Sequence, residues 1–496
     1  MTEWETGLRI GEGTDELTIA QVQEAMDAGR MTSHDLVLAY LARIARLDRG
    51  PAGTNSVLEI NPDALQIAAA MDAERANHGV RGPLHGVPIL LKDNIDTGDK
   101  LHTSAGSLAL AESFAARDAH VAARLRAAGA VILGKANMTE WANFMTEGMP
   151  AGYSSRGGQV LNPYLPGKYT VGGSSSGSGA AVAMNLVAAA IGTETSGSIL
   201  SPANANSVVG IKPTVGLVSR TGIIPIMHTQ DTAGPLARTV TDAATLLSAI
   251  SGSDPQDPAT WACATKLHPD YRVFLDRTAL RGARLGVSRD VMAKCDPQQL
   301  AVMEQALAVL REQGAVVVDP VDLPVARDDH DRTAMTFEFK PNLNAYLARL
   351  APHVPVHSLR ELIDYNFRHP GAMLRYGQTL LVAAETASGT LTEPEYTRAL
   401  AHGLWRATVC GIDAAIAAER LTALVFPGNY GAGISARPGY PSVCVPAGYT
   451  QDGRPIGITF TSVAWSEPEL IALAYAYEQA TCHRRPPQAA ANIVTG

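Results

Sequence analysis

Apolar and polar positions alternate along this chain in a way that predicts layered helices and strands. Thr18-x-x-Gln21 reads as a capping box for a helix ending near Gly29. Thr32-x-x-Asp35 starts a second helix, which carries Leu36, Tyr40, Ile44 and Leu47 on one face. Residues 62–78 predict a third. From Gly86 to about residue 250, short apolar runs alternate with helical stretches. Residues 87–91, 130–133 and 208–211 read as strands, and 118–128 and 178–190 as helices. Residues 251–280 are irregular and rich in Pro and Asp, a loop rather than a linker. A strand, helix and strand follow at 284–287, 297–313 and 315–318. Residues 330–420 are helix-rich, and strands return at 421–426, 442–446 and 456–460 before a final helix over 467–481.

This alternation predicts an α/β fold with a mixed β-sheet core sandwiched between α-helices. The strand pattern resumes beyond the helix-rich stretch. The organisation expected is therefore a single domain over 1–496, a core at 80–250, and an insertion or lid at 330–420. Composition changes this picture little: 18% charged and 46% apolar residues are ordinary for a globular enzyme. A net charge of −8 with no basic block argues against nucleic acid or an anionic membrane as partner. The longest apolar stretch, 180–192, is too short to span a bilayer and contains Asn185. The N-terminus has no basic and apolar signal pattern, so the expected location is cytoplasmic. Cys263, Cys295, Cys410, Cys444 and Cys482 are scattered without a C-x-x-C spacing and read as buried, reduced thiols. The histidines form no metal-binding pattern, so neither metal nor other cofactor is expected.

The chemistry concentrates in two glycine turns, GGSSSGSG at 172–179 and GTETSGS at 192–198, and in Lys92 at the end of the 87–91 run. A Gly/Ser run can be a flexible linker, but this one leads directly into an apolar helix. Clustered glycines permit unusual backbone shapes, including a non-proline cis bond. In the second turn, the amides of Thr195, Ser196, Gly197 and Ser198 can converge as an oxyanion hole. A lysine closing a strand ordinarily snorkels to solvent. The apolar run before Lys92 instead buries its stem, which favours the neutral amine and makes it a candidate base. Two other matches fail on context. GAVILGK at 129–135 fits a P-loop frame, but Ala136 stands at the Mg²⁺-binding position and the interior is an apolar strand. GSSSG at 173–177 fits a nucleophile elbow, yet His85-Gly86 is a poor version of the segment such hydrolases need.

Lys92 and the two turns together resemble the amidase signature family. PLHGVPILLKDNID at 83–96, GKANMTEWAN at 134–143, GIKPTVGLVSR at 210–220, QDTAGP at 230–235 and GYPS at 439–442 extend the likeness over most of the chain. The resemblance implies the amidase signature fold and a Ser–cis-Ser–Lys triad. By motif position Lys92 is the base, Ser174 the bridging cis-serine and Ser198 the acylated nucleophile. Ser175 and Ser176 would be structural hydrogen-bonders. Where the family often has Arg, this chain has Leu200, which weakens substrates with a free carboxylate and the glutaminase role in tRNA-dependent amidotransferases. Glu194 stands for the usual Asp.

Within the family the likeness is to members that remove the C-terminal amide of peptides. It rests on Trp141-Ala-Asn143, SRTGIIPI at 219–226 and EFKPNLNAY at 338–346. Asn143 would then contact substrate, or else cap a helix. The activity implied is ammonia release from peptide or amino acid amides, with a small-molecule or peptide amide as substrate and neither nucleic acid nor membrane as partner. A broader amidase or esterase, and a glutaminase component that depends on a partner, are the alternatives. A neutral or apolar acyl side is expected from Leu200 and from the Tyr, Phe and Met residues of 330–420.

Overall fold

The computed structural model describes residues 16–50, 53–328 and 331–488. Its centre is a mixed sheet of 11 strands. In chain order the strands are β1 (Val57–Ile60), β2 (Pro88–Lys92), β3 (Val131–Ala136), β4 (Tyr153–Ser154), β5 (Gly158–Gln159), β6 (Ala189–Glu194) and β7 (Val209–Lys212). They continue with β8 (Thr232–Ala237), β9 (Arg284–Val287), β10 (Val316–Val318), β11 (Ala423–Pro427), β12 (Ser442–Tyr449) and β13 (Pro455–Thr461). β4 and β5 form a separate hairpin, and the large sheet runs β1-β3-β2-β6-β8-β7-β12-β13-β11-β9-β10. β2 is parallel to both β3 and β6, whereas β6–β8 and β7–β8 are antiparallel. Every residue of β2, β3, β6, β7, β8, β11 and β13 is buried. Strands buried at odd and even positions alike have both faces covered, which is the sandwich expected from the alternating pattern.

The predicted N-terminal signals form as read. Helix α1 (Ile19–Asp27) and helix α2 (Ser33–Arg43) each begin with a complete capping box, from Thr18 with Gln21 and from Thr32 with Asp35. Helix α3 (Ala64–His78) follows, and α4 (His120–Ala127) lies in the β2–β3 crossover.

Strands β1 and β8 form where the pattern predicted none, and one predicted helix divides. The stretch 178–190 is not one helix: α5 (Ser176–Ala183) stops and β6 begins at Ala189. Asn185 ends the helix in a left-handed conformation at φ +54. Its amide donates to Val182 O, and the Leu186 amide reaches back to Ala181 O, the paired bonds of a Schellman cap. An apolar run buried on all sides has no periodicity to separate helix from strand. Asn185→Val, which puts a β-branched side chain at positive φ, is expected to cost about 1–2 kcal/mol. Asn185→Gly should cost less, and thermal denaturation of the two variants makes the comparison.

The helix-rich stretch between β10 and β11 contains α6 (Thr333–Leu347), Leu359–Arg368, Thr379–Glu385, Pro394–Ala407 and Ile412–Glu419. β10 and β11 both pair in parallel with β9, so this stretch leaves one side of β9 and returns to the other. Phe339, Leu343, Leu347, Leu362 and Leu381 form a second apolar core with Trp141, Phe144, Ile224 and Met227. The final helix, Glu467–Thr481, has the predicted bounds. The thiols are less uniform than expected: Cys263 and Cys444 are buried, Cys295 and Cys410 are half-buried, and Cys482 is exposed. Among the described residues, no helix is long and apolar enough to cross a membrane.

Candidate active site

The parallel register of β2 and β6 aligns Leu91 with Ile191, so the two strand ends deliver Lys92 and Thr193 side by side. Carboxyl ends of strands are where open α/β sheets usually hold their ligands. Lys92 is fully buried. Its Nζ donates to Ser174 Oγ at 2.8 Å, to Thr193 Oγ1 at 2.8 Å and to Thr193 O at 3.2 Å. Burial brings the ammonium down to about 7, against the attraction of Asp231 and Glu194, which acts to raise it. A neutral amine has two N–H groups and one lone pair. Thr193 offers two acceptors for the N–H groups, which leaves the lone pair for the Ser174 hydroxyl.

Ser174 follows a cis Gly173–Ser174 peptide bond and is fully buried at the entrance to α5. A Cβ at Gly173 would lie 2.6 Å from Thr139 Oγ1, so this close turn requires glycine. Ser175 joins the two turns. Its amide donates to Ser198 O at 3.1 Å, its Oγ donates to Thr193 O at 3.1 Å, and Thr193 N donates back to Oγ at 3.2 Å. Ser176 Oγ donates to Gly172 O at 2.7 Å. Ser198 keeps 7% exposure, whereas Lys92 and Ser174 keep none. The structure therefore bonds Lys92 to Ser174 directly and brings Ser198 alongside through the backbone of Ser175. Among the described residues no hydrogen bond reaches the Ser198 hydroxyl.

The 195–198 turn is shaped by its own carbonyls and by Glu194. Gly197, at φ +87, accepts the Ser201 amide at 2.7 Å. Glu194 Oε2 takes the amides of Ile199 at 2.6 Å and Leu200 at 3.0 Å. No acceptor among the described residues is bonded to the amides of Ser196, Gly197 or Ser198. Thr195 donates its hydroxyl to Asp231 Oδ1 at 2.5 Å.

A cavity of about 270 Å³ adjoins Thr193, Thr195, Asn94 and Asp231 on this side of the turn. Its walls include Ala142, Arg220, Ile224, His228, Asn342, Tyr346 and Arg349. A second cavity, of about 370 Å³, meets Ser196, Gly197, Asn429 and Tyr430. Two expectations need correction here. Leu200 is fully buried in the main core and lines neither cavity. Of the aromatic and Met residues in 330–420, Tyr346 alone reaches the first cavity, because Phe339 and Met373 are packed in the second core. The cavity wall is accordingly mixed, with two arginines and a histidine. Asn143 is exposed at φ +72, in a left-handed turn with Trp141 and Ala142, and Ala142 rather than Asn143 lines the cavity.

Sequence reasoning missed the groups that surround the lysine. Thr193, Asn94, which donates to Thr193 Oγ1 at 3.0 Å, and Asp231 all lie within the motifs quoted, yet none was given a role. Tyr346, within the 338–346 segment, lines the cavity as expected of the Tyr residues there, and its hydroxyl donates to Asp96 at 2.7 Å. The signal available was the alternation along 192–195, which puts Thr193 and Thr195 on one face.

The family model for Amidase matches residues 35–471. A probable amidase of Arabidopsis thaliana is 44% identical over 95% of this chain and 91% of its own length. The crystal structure of native peptide amidase from Stenotrophomonas maltophilia is 47% identical, with a TM-score of 0.89 over 96% of this chain and 99% of that one. More distantly, a glutamyl-tRNA(Gln) amidotransferase component of Alkalilimnicola ehrlichii is 32% identical over 95% of this chain and 99% of its own. The chain belongs to the amidase family and is an amidase, a hydrolase of amide bonds.

Proposed function

We propose that this amidase releases ammonia from primary amides, foremost the C-terminal amides of peptides and amino acid amides, through an acyl-enzyme on Ser198. The observation that carries the reading is the 2.8 Å bond between buried Lys92 and Ser174, beside a turn with open amides. Neutral Lys92 takes the proton of Ser174 as Ser174 takes that of Ser198, and the Ser198 oxygen attacks the amide carbonyl. The negative charge that develops on the carbonyl oxygen is held by the 195–198 amides. Ser174 then protonates the leaving nitrogen with the proton returned from Lys92, because an amide anion is too basic to depart unprotonated. Ammonia leaves, and water runs the same relay to free the acid and restore all three side chains. Ser175 keeps the two turns in register, and a substrate long enough to extend past Ala142 would meet Asn143.

The peptide-amide preference draws on the 47% identity to a peptide amidase and on a cavity with room for more than an acetamide-sized acyl group. Its mixed wall suits the polar backbone of a peptide better than a long hydrocarbon. A second reading, a glutaminase component that needs a partner, draws on the 32% identity to the amidotransferase chain. The higher identity to the peptide amidase, 47% against 32%, ranks this reading second. Ammonia release from a dipeptide amide by the isolated chain is the expected result, at least tenfold faster in kcat/KM than from glutamine. Turnover of glutamine alone, and only with an added partner, would overturn the reading.

A further inference from the structure

Asp231 stands at the junction of three parts of the site. The antiparallel register of β6 and β8 pairs Glu194 with Thr232, so the residue preceding β8 falls opposite the residue following β6. Asp231 therefore meets Thr195, whose hydroxyl donates to Oδ1 at 2.5 Å. Its Oδ2 accepts the amides of Ile226 at 2.8 Å and Met227 at 3.0 Å, and its own amide donates to Met227 O at 3.0 Å. The segment so folded is the cavity wall that carries Ile226 and His228. On its far side Thr229 donates to Glu338 of α6 through its amide, at 3.2 Å, and its hydroxyl, at 2.7 Å.

We propose that Asp231 is a positioning residue for the hydrolysis: its carboxylate locks the 226–231 wall to the 195–198 turn and sets a negative charge on the cavity edge that Thr193, the partner of Lys92, also lines. The proposal rests on Lys92 being the base. Burial alone depresses a lysine until it is neutral but a poor proton acceptor. An anion nearby raises its basicity again. Two carboxylates act on Lys92 in this way, Asp231 first and Glu194 second. Glu194 Oε2 is engaged by the Ile199 and Leu200 amides. Asp231 is itself lifted to about 6 by burial, while the Thr195 hydroxyl, the loop amides and Arg220 oppose that rise.

The test is the pH profile of kcat/KM for ammonia release by the full chain. Asp231→Asn keeps acceptors for the loop and removes the charge. The acid limb should move down by about one pH unit as Lys92 becomes easier to deprotonate. The plateau should fall roughly threefold, since a weaker base transfers protons more slowly. Thr195→Val removes the bond but not the charge, and should lower the plateau without moving the limb. A limb that stays in place for Asp231→Asn overturns the proposal. Should that variant fail to fold, carbon NMR of aspartate-labelled enzyme gives a second arm. Coupling is reciprocal, so Lys92→Met should raise the titration of one buried carboxyl, and no movement in any carboxyl also overturns the proposal. Wild-type turnover in Lys92→Ala would refute the base itself and take this proposal down with it.

Discussion

Ser198→Ala is expected to lower kcat by a factor on the order of 10⁵ while leaving KM within a few-fold of the wild type. Of the three residues proposed for the relay, Lys92 and Ser174 are fully buried and Ser198 alone keeps some exposure, as a residue that meets substrate requires. The methyl group left behind cannot be acylated. Substrate binding stays, because the cavity is built from Thr193, Thr195, Tyr346 and the 220–231 loop. Water has no equivalent anchor, and residual hydrolysis would come from the turn amides alone. Ser174→Ala should be severe but milder, a loss of roughly 10²–10⁴, since water can stand in for a hydroxyl that only passes protons. Steady-state ammonia release, with mass spectrometry to seek the acyl-enzyme, measures both. A Ser198→Ala enzyme that keeps more than a few per cent of the rate would end the nucleophile assignment.

Lys92→Met should show the second large effect, in two directions at once. Activity should fall by about 10³-fold or more, because among the described residues no other base is bonded to the Ser174 hydroxyl. In the wild type the lysine titrates near 7 when folded, against 10.5 as its ordinary value. Below pH 7 the relay should therefore lose activity about tenfold per unit, with a plateau on the alkaline side. Stability follows the opposite accounting. The folded value lies below the unfolded one, so between them the unfolded chain binds a proton that the folded chain does not. Stability should accordingly rise as pH goes from 7 toward 10.5, and at neutral pH the lysine is a burden. Removing it should stabilise the fold by about 1–3 kcal/mol, once the hydroxyls left without a donor are counted. Melting temperatures for both enzymes at pH 7 and pH 9.5 test this, and the gain should shrink at the higher pH. An inactive Lys92→Met that is also less stable would argue for a structural lysine.

Much of the site was legible because its signals are local. Thr18 and Thr32 announce their helices through residues three positions on. Lys92 is marked by the apolar run before it, and the glycines of both turns by their spacing. The same locality explains the failures. Between Ala180 and Glu194 burial is complete, so nothing in the polarity pattern distinguishes α5 from β6, and the one punctuation mark, Asn185, reads only as a polar interruption. β8, with the sequence TAGPLA, lacks the β-branched alternation of a recognisable strand and owes its form to pairing with β6 and β7. Asp231 escaped notice because its partner Thr195 is 36 positions away, brought near only by that pairing. Leu200 misled for the reverse reason: its position in a motif suggested a substrate contact, while its side chain is spent on the core.

The way the chain departs from and rejoins β9 bears on how such an enzyme diversifies. Because β10 and β11 flank a single strand, everything between them can lengthen, shorten or be exchanged without re-threading the sheet. Lys92, Ser174 and Ser198 all precede that excursion in the chain. Exchange within that segment reaches the cavity through Asn342, Ala345, Tyr346 and Arg349 alone, so those four positions can vary while the strands that carry Lys92 and Thr193 stay as they are.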